Sequence, residues 1–262
     1  MDLITQRQVS ENFITPSFEL VETFNRYWQA VMPLGKTTSM AYPFFYLQSD
    51  GFWHLVPKPG RVPPLRPRTP SMAWIRENLS GARMDEDLFV LMLDSKTRES
   101  LRAALVQTYF APSIQPVVVK QGFVNVKSYA YAKALLTESH EDVQSYAANT
   151  EELKPVRDQG FRKAIVQLYD HRCALCGIRM LTPEGHTVVE AAHIVPWAKS
   201  KDDKPANGLC LCRICHWSFD EGLMSVGKDY EVLVSKRVQS DRNIPGHIQP
   251  LIDRPIFKPV QE

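Results

Sequence analysis

Apolar residues first recur at helical spacing between residues 17 and 32, where Phe18, Val21, Phe24, Tyr27, Trp28 and Val31 share one face. Ser17 stands where an N-cap belongs, and Glu19 and Glu22 lie in the first turn, so the pattern predicts an amphipathic helix. Two aromatic-rich runs follow, 41–47 (AYPFFYL) and 51–56 (GFWHLV); separated by Gln-Ser-Asp, they predict a strand hairpin. Residues 57–71 hold six prolines and three arginines, which exclude a regular helix or a central strand and predict a loop. From Asp85 the spacing is helical again, over DEDLFVLML and over 95–110, the second helix capped by Ser95 and ended by Ala111-Pro112. Residues 111–128 read as extended and irregular, 129–137 as a further helix, and the polar stretch 138–156 as a linker.

A new pattern starts near Arg157, with Phe161, Ile165, Leu168 and Tyr169 on one face of a helix that leads into Cys173. Residues 187–194 and 208–212 predict short strands and 214–223 a short helix, the ββα order of a compact metal finger. Beyond it, 224–226 and 230–234 flank Gly-Lys-Asp as a hairpin, and the tail 245–262 is expected to wrap the core irregularly.

At 262 residues and 44% hydrophobic content the chain can build one large core or two ordinary ones. Its apolar runs, such as 88–93, fall far below the roughly 20 residues that cross a bilayer. The start MDLITQRQVS has no basic-then-apolar signal pattern, so a cytoplasmic protein with no membrane partner is expected. Net charge is only +2, so composition carries no basic footprint and the case for DNA must come from a site. All five cysteines lie in the last third, a clustered odd set that indicates metal ligation rather than disulfides.

Cys173, Cys176, Cys212 and Cys215 form two C-x-x-C pairs with 35 residues between them. Two such turns complete the four-thiolate tetrahedron that Zn²⁺ prefers, with a structural role because no position stays open for substrate. Cys210 is left as a buried free thiol. The second constellation is His193, Asn207 and His216. Phosphodiester hydrolysis needs a general base for water and a divalent ion to offset charge on the phosphoryl and leaving oxygens; imidazole suits the first task, and imidazole, amide and carboxylate groups suit the second.

The run CALC, EAAHIVPW, NGLCLC and CHWSFDEGL resembles the HNH endonuclease family over about residues 157–260. The resemblance implies that His193 is the general base, that Asn207 fixes the loop and the base's geometry or lies near the metal, and that His216 ligates a catalytic Mg²⁺ or Mn²⁺ ion. Many HNH sites carry an acidic or His ligand just before the base; this chain has Ala192 there, and Glu190, two positions earlier on the same strand face, is the candidate replacement. Asp220 is expected as a structural carboxylate that holds the finger through backbone N–H bonds, and Trp197 and Trp217 as core residues.

Residues 17–110 resemble the sulfur-binding domain of some HNH restriction enzymes, through LVETFNRYW, SMAYPFFYLQSDGFWHLVP and the DEDLFVLML and TRESLRAALVQTYF pair. That module recognises phosphorothioate DNA. Tyr42, Pro43 and Tyr46 are the candidate sulfur cup, and Arg61, Arg66 and Arg68 the candidate phosphate contacts. The family's upstream basic helix with adjacent His and Arg has no counterpart in the sixteen residues before Ser17, where Arg7 is the sole cation.

The fold expected is therefore α+β: a mixed helix and hairpin DNA-recognition domain over 1–112, a bridge over 113–156 and a ββα-metal HNH domain with a four-cysteine zinc site over 157–262. The function expected is a DNA endonuclease, modification-dependent and serving prokaryotic defence; DNA is the partner, and a homodimer is compatible with the sequence. The alternatives are an HNH nuclease directed to other DNA, such as methylated bases, and a zinc-stabilised DNA-binding module without catalysis. That module would need only the four cysteines, so His193 and His216 speak against it.

Overall fold

The computed structural model describes residues 1–62, 67–137, 153–239 and 248–260. It divides into two compact units, Met1–Val126 with Thr182–His186, and Lys127–Leu181 with Thr187–Glu262.

In the first unit α1 (Asp2–Thr5) is followed by α2 (Phe18–Val31), whose N-cap is Ser17: its hydroxyl accepts the Leu20 N–H at 3.2 Å. The aromatic run expected as a strand is helical, α3 (Ala41–Tyr46). Its buried residues, Ala41, Phe44 and Phe45, follow i, i+3, i+4 spacing, and Pro43 sits in the first turn, where no backbone donor is missed. Strand β1 (Trp53–Pro57) pairs antiparallel not with the aromatic run but with β2 (Leu79–Met84), Trp53 opposite Met84. Phe44 and Trp53 meet edge to face with centroids 5.5 Å apart, and the Trp53 indole N–H donates to the Phe44 carbonyl at 2.8 Å. Helix α4 (Met72–Asn78) joins the strands, and its Met72 and Ile75, with Leu79 at the start of β2, close the core.

Helices α5 (Glu86–Leu93) and α6 (Ser95–Tyr109) are as the spacing predicts, but the cap of α6 is Asp94, whose carboxylate accepts the Thr97 N–H at 2.8 Å. Residues 111–128, expected extended, belong mostly to α7 (Gln115–Leu136). The β-branched run Val117–Val118–Val119 has strand propensity, yet burial of Val118, Val124, Tyr131, Ala132 and Leu135 along one helix outweighs it. Most of the expected linker, residues 138–152, lies outside the described residues.

In the second unit α8 (Lys154–Leu168) packs on an antiparallel hairpin of β3 (Val189–His193) and β4 (Gly208–Cys212), Glu190 opposite Leu211 and His193 opposite Gly208. Phe161, Ala164 and Ile165 of α8 are buried against Val189, Ala192, Leu209 and Leu211. Gly208 permits this approach, since a Cβ there would collide with Ile165. In the loop between the strands lies the one-turn α9 (Trp197–Ser200), and after β4 comes α10 (Arg213–Asp220). Hairpin β5 (Met224–Val226) and β6 (Val232–Val234) completes the unit, and the tail crosses it through Phe257 N–H to Ala174 O and Val260 N–H to Leu168 O, both 2.8 Å. No described helix is long and apolar enough to cross a membrane.

Candidate active site and structural metal centre

The Cys173–Gly177 turn, closed by Gly177 N–H to Cys173 O at 2.9 Å, faces the junction of β4 and α10, where Cys212 is the N-cap and Cys215 lies in the first turn. The four sulfurs lie within 4.8 Å of one another, and Cys176 Sγ is 3.7 Å from Cys212 Sγ. A Zn–S length of about 2.3 Å in a tetrahedron puts sulfurs roughly 3.8 Å apart, so the set fits Zn²⁺. Hydrogen bonds from Cys176, Cys212 and Cys215 drive the Cys173 thiol far below its ordinary value, while contacts with Cys173, Cys176 and Cys212 drive Cys215 far above it. Cys210 differs: burial pushes its thiol up to about 12, as suits an inert core residue.

His193, at the end of β3, stacks on Phe161 of α8, with centroids 3.9 Å apart and planes 6° from parallel. Its Nε2 lies 2.7 Å from Oδ1 of Asp203, whose side chain is 4% exposed. The other carboxylate oxygen accepts the Tyr131 hydroxyl at 2.8 Å and lies 3.6 Å from Nε of Arg157. Burial, and then the charge of Asp203, raise the Tyr131 phenol above its ordinary value, so it stays a donor. Arg157 also covers the Trp197 ring at 3.5 Å from its centroid, and Lys201 approaches the same ring at 3.8 Å.

Asn207 is buried and fastens the loop between the strands to itself. Its Oδ1 accepts the Val195 N–H at 2.8 Å, and its Nδ2 donates to the carbonyls of Val195 at 3.0 Å and Asp202 at 2.9 Å. Of the two roles implied for this residue, loop fixing is the one its contacts perform.

His216, in α10, stands between two carboxylates: Nδ1 is 3.4 Å from Glu190 and Nε2 is 3.6 Å from Asp220, one helical turn on. Arg213 lies 3.6 Å from the other oxygen of Glu190. The chain thus forms two groups, His193 with Asp203, and His216 with Glu190 and Asp220. Among the described residues no hydrogen bond or ion pair joins them.

Two expectations change. Asp220 is 65% exposed on the His216 side rather than tied to backbone N–H groups. Trp217 is exposed, and Trp197 is half-buried between cations rather than core. Asp203, Phe161, Tyr131 and Arg157 enter the site without a sequence signal for that role. The only trace of Asp203 in the sequence is its place in KSKDDKPANG, a charged run that resembles a solvated loop.

In the first unit α3 brings Tyr42 and Tyr46 together on its exposed side, rings 6.5 Å apart and 7° from parallel, with Pro43 half-buried beside them. Arg61 is exposed and hydrogen-bonded to Glu77 at 3.2 Å, and Arg68 is exposed. Arg66 lies outside the described residues.

No curated protein matches the chain. Among solved structures, one described as a modification-dependent TagI restriction endonuclease is 24% identical, over 42% of this chain and 33% of its own, with a TM-score of 0.29. The chain therefore spans about a third of that protein's length. Residues 173–227 match the model for the HNH endonuclease family, a span that holds the four cysteines, His193, Asn207 and His216. Residues 32–122 match the model for the ScoMcrA-like DNA sulfur-binding domain, a span that starts after α2 and includes Tyr42, Pro43 and Tyr46. The chain carries an HNH endonuclease domain behind a ScoMcrA-like DNA sulfur-binding domain.

Proposed function

We propose that this protein is a metal-dependent DNA endonuclease directed to phosphorothioate-modified DNA, acting as a restriction enzyme in prokaryotic defence. The observation that carries the nuclease reading is His193, held at the end of β3 by a buried carboxylate and a flat aromatic partner. His193 takes a proton from water, the water oxygen attacks phosphorus, and the P–O bond breaks with its electron pair on the leaving oxygen, which takes a proton from solvent.

A bound Mg²⁺ or Mn²⁺ supplies charge to offset the phosphoryl and leaving oxygens. Glu190 and Nδ1 of His216 are the donors that would hold it. Asp220 stands at the other ring nitrogen, where the carboxylate partner of a metal-bound His belongs. The four cysteines hold Zn²⁺ and fold the finger.

For the recognition half, sulfur in place of a phosphate oxygen is larger, more polarizable and poorly hydrated, so an apolar cup favours it where a polar site would not. Tyr42, Tyr46 and Pro43 offer such a surface, and Arg61, Arg66 and Arg68 supply phosphate contacts. The test is cleavage of phosphorothioate-modified and matched unmodified plasmid by the protein and by His193→Ala, with Mg²⁺, with Mn²⁺ and with EDTA. Metal-dependent cutting of the modified plasmid alone, lost in the variant, is expected. Equal cutting of both would refute sulfur recognition and keep the nuclease. No cutting by folded, zinc-loaded protein would favour a zinc-stabilised DNA-binding module.

A further inference from the structure

We infer that Asp203 is the positioning residue of this nuclease, setting which ring nitrogen of His193 is the base; the inference rests on the reading of His193 as that base. An ionised carboxylate only accepts hydrogen bonds, so at 2.7 Å from Asp203 the Nε2 atom must carry the hydrogen. In a neutral imidazole the lone pair is then on Nδ1, and Nδ1 receives the proton from water. The Phe161 stack fixes the plane of the ring but not its sense, because a half-turn about the Cβ–Cγ bond leaves the planes parallel. Asp203 removes that ambiguity.

Asp203 is itself held by two further groups and by burial. Tyr131 of α7 donates to Oδ2 at 2.8 Å, Arg157 of α8 lies 3.6 Å from the same oxygen, and the side chain is almost wholly shielded from water. Among the described residues the charged and titratable groups recorded around the imidazole are Asp203 directly, with Arg157 and Tyr131 behind it and Asp202 near Tyr131. When His193 takes a proton, the charge that develops on the imidazole has its carboxylate partner already in place.

Asp203→Asn tests this because the substitution keeps shape and turns one acceptor into a donor. The Tyr131 hydroxyl still needs an acceptor, so the amide oxygen turns to it and the amide N–H turns to Nε2 of His193. That geometry forces the hydrogen to Nδ1 and removes the base nitrogen. In full-length zinc-loaded protein the turnover rate on cleavable plasmid is expected to fall by about 10⁴-fold, the loss seen when a carboxylate that sets a catalytic imidazole's tautomer becomes an amide. KM should move by no more than about threefold, because no binding contact is lost.

Long-range ¹H–¹⁵N spectra of histidine-labelled protein should show the hydrogen of His193 on Nε2 in the parent and on Nδ1 in the variant. A rate within about threefold of the parent in folded Asp203→Asn would overturn the inference, as would an Nδ1–H tautomer in the parent. If the variant does not fold, the parent spectrum still decides. A parent that cuts no DNA under any metal would sink the nuclease reading itself. A parent that cuts while Asp203→Asn cuts equally well would sink only the role of Asp203.

Discussion

Asn207 makes the loop between β3 and β4 testable, because its amide meets one donor and three acceptors. Replacing it with Ala removes three short hydrogen bonds, Val195 N–H to Oδ1 at 2.8 Å and Nδ2 to the carbonyls of Val195 at 3.0 Å and Asp202 at 2.9 Å, and a long, weak one from Nδ2 to Ser200 Oγ at 3.5 Å. At about 1 kcal/mol each the ceiling is about 3 kcal/mol. Val195 is 47% exposed, so its freed groups regain water, and about 2 kcal/mol is the expected loss for Asn207→Ala. Asn207→Asp is the sharper variant. It keeps shape and the bond from Val195 N–H, but sets a second carboxylate oxygen against two carbonyl oxygens.

At neutral pH Asn207→Asp should therefore be less stable than Asn207→Ala, despite being the smaller change. The gap should narrow below about pH 4, where a protonated carboxyl can donate to one carbonyl. Urea unfolding of zinc-loaded protein gives the order, and hydrogen exchange at the Val195 amide gives the local effect. A loss of about 2 kcal/mol there is roughly 30-fold faster exchange in Asn207→Ala. Asn207→Asp more stable than Asn207→Ala at neutral pH would refute the amide's role as a double donor, and equal Val195 protection in parent and Asn207→Ala would refute the loop-fixing bond.

Cys176→Ser should abolish zinc binding and unfold the second unit, since structural zinc is worth roughly 10 kcal/mol; metal content and circular dichroism decide, and a folded variant without zinc would refute the structural role. Cys210→Ala should keep one zinc per chain and lose only about 1–2 kcal/mol, and the native Cys210 thiol, raised to about 12, should resist alkylation at about pH 8. Glu190→Gln should raise the Mg²⁺ or Mn²⁺ concentration for half-maximal cutting at least about tenfold while leaving zinc content unchanged; an unchanged metal requirement would remove Glu190 from the ion's ligands.

What the sequence discloses follows from how local each feature is. The C-x-x-C pairs and the His193, Asn207 and His216 spacing are legible because each residue type has few chemical uses at that separation, and β4 is legible as the short apolar run GLCLC. Asp203 is not, because its meaning comes from Tyr131 and Arg157, which are distant in the chain and meet it only after α7 and α8 fold onto the hairpin. The aromatic run 41–47 misleads for a related reason. Strand propensity is weak evidence beside the i, i+3, i+4 burial of Ala41, Phe44 and Phe45, and that spacing, with Pro43 in the first turn, is present in the letters. The valines of α7 are a harder case, since only packing decides between strand and helix there.

Trp197 gives the loop a voice of its own. Its indole lies between the Arg157 guanidinium and the Lys201 ammonium, and among the described residues no other tryptophan has a cation stacked on its ring. Indole emission shifts with the electric field across the ring, and Arg157 is also tied to the carboxylate that holds His193. With the remaining tryptophans replaced by Phe, the colour of a single residue would report what DNA and metal do to that loop in real time, with no dye attached.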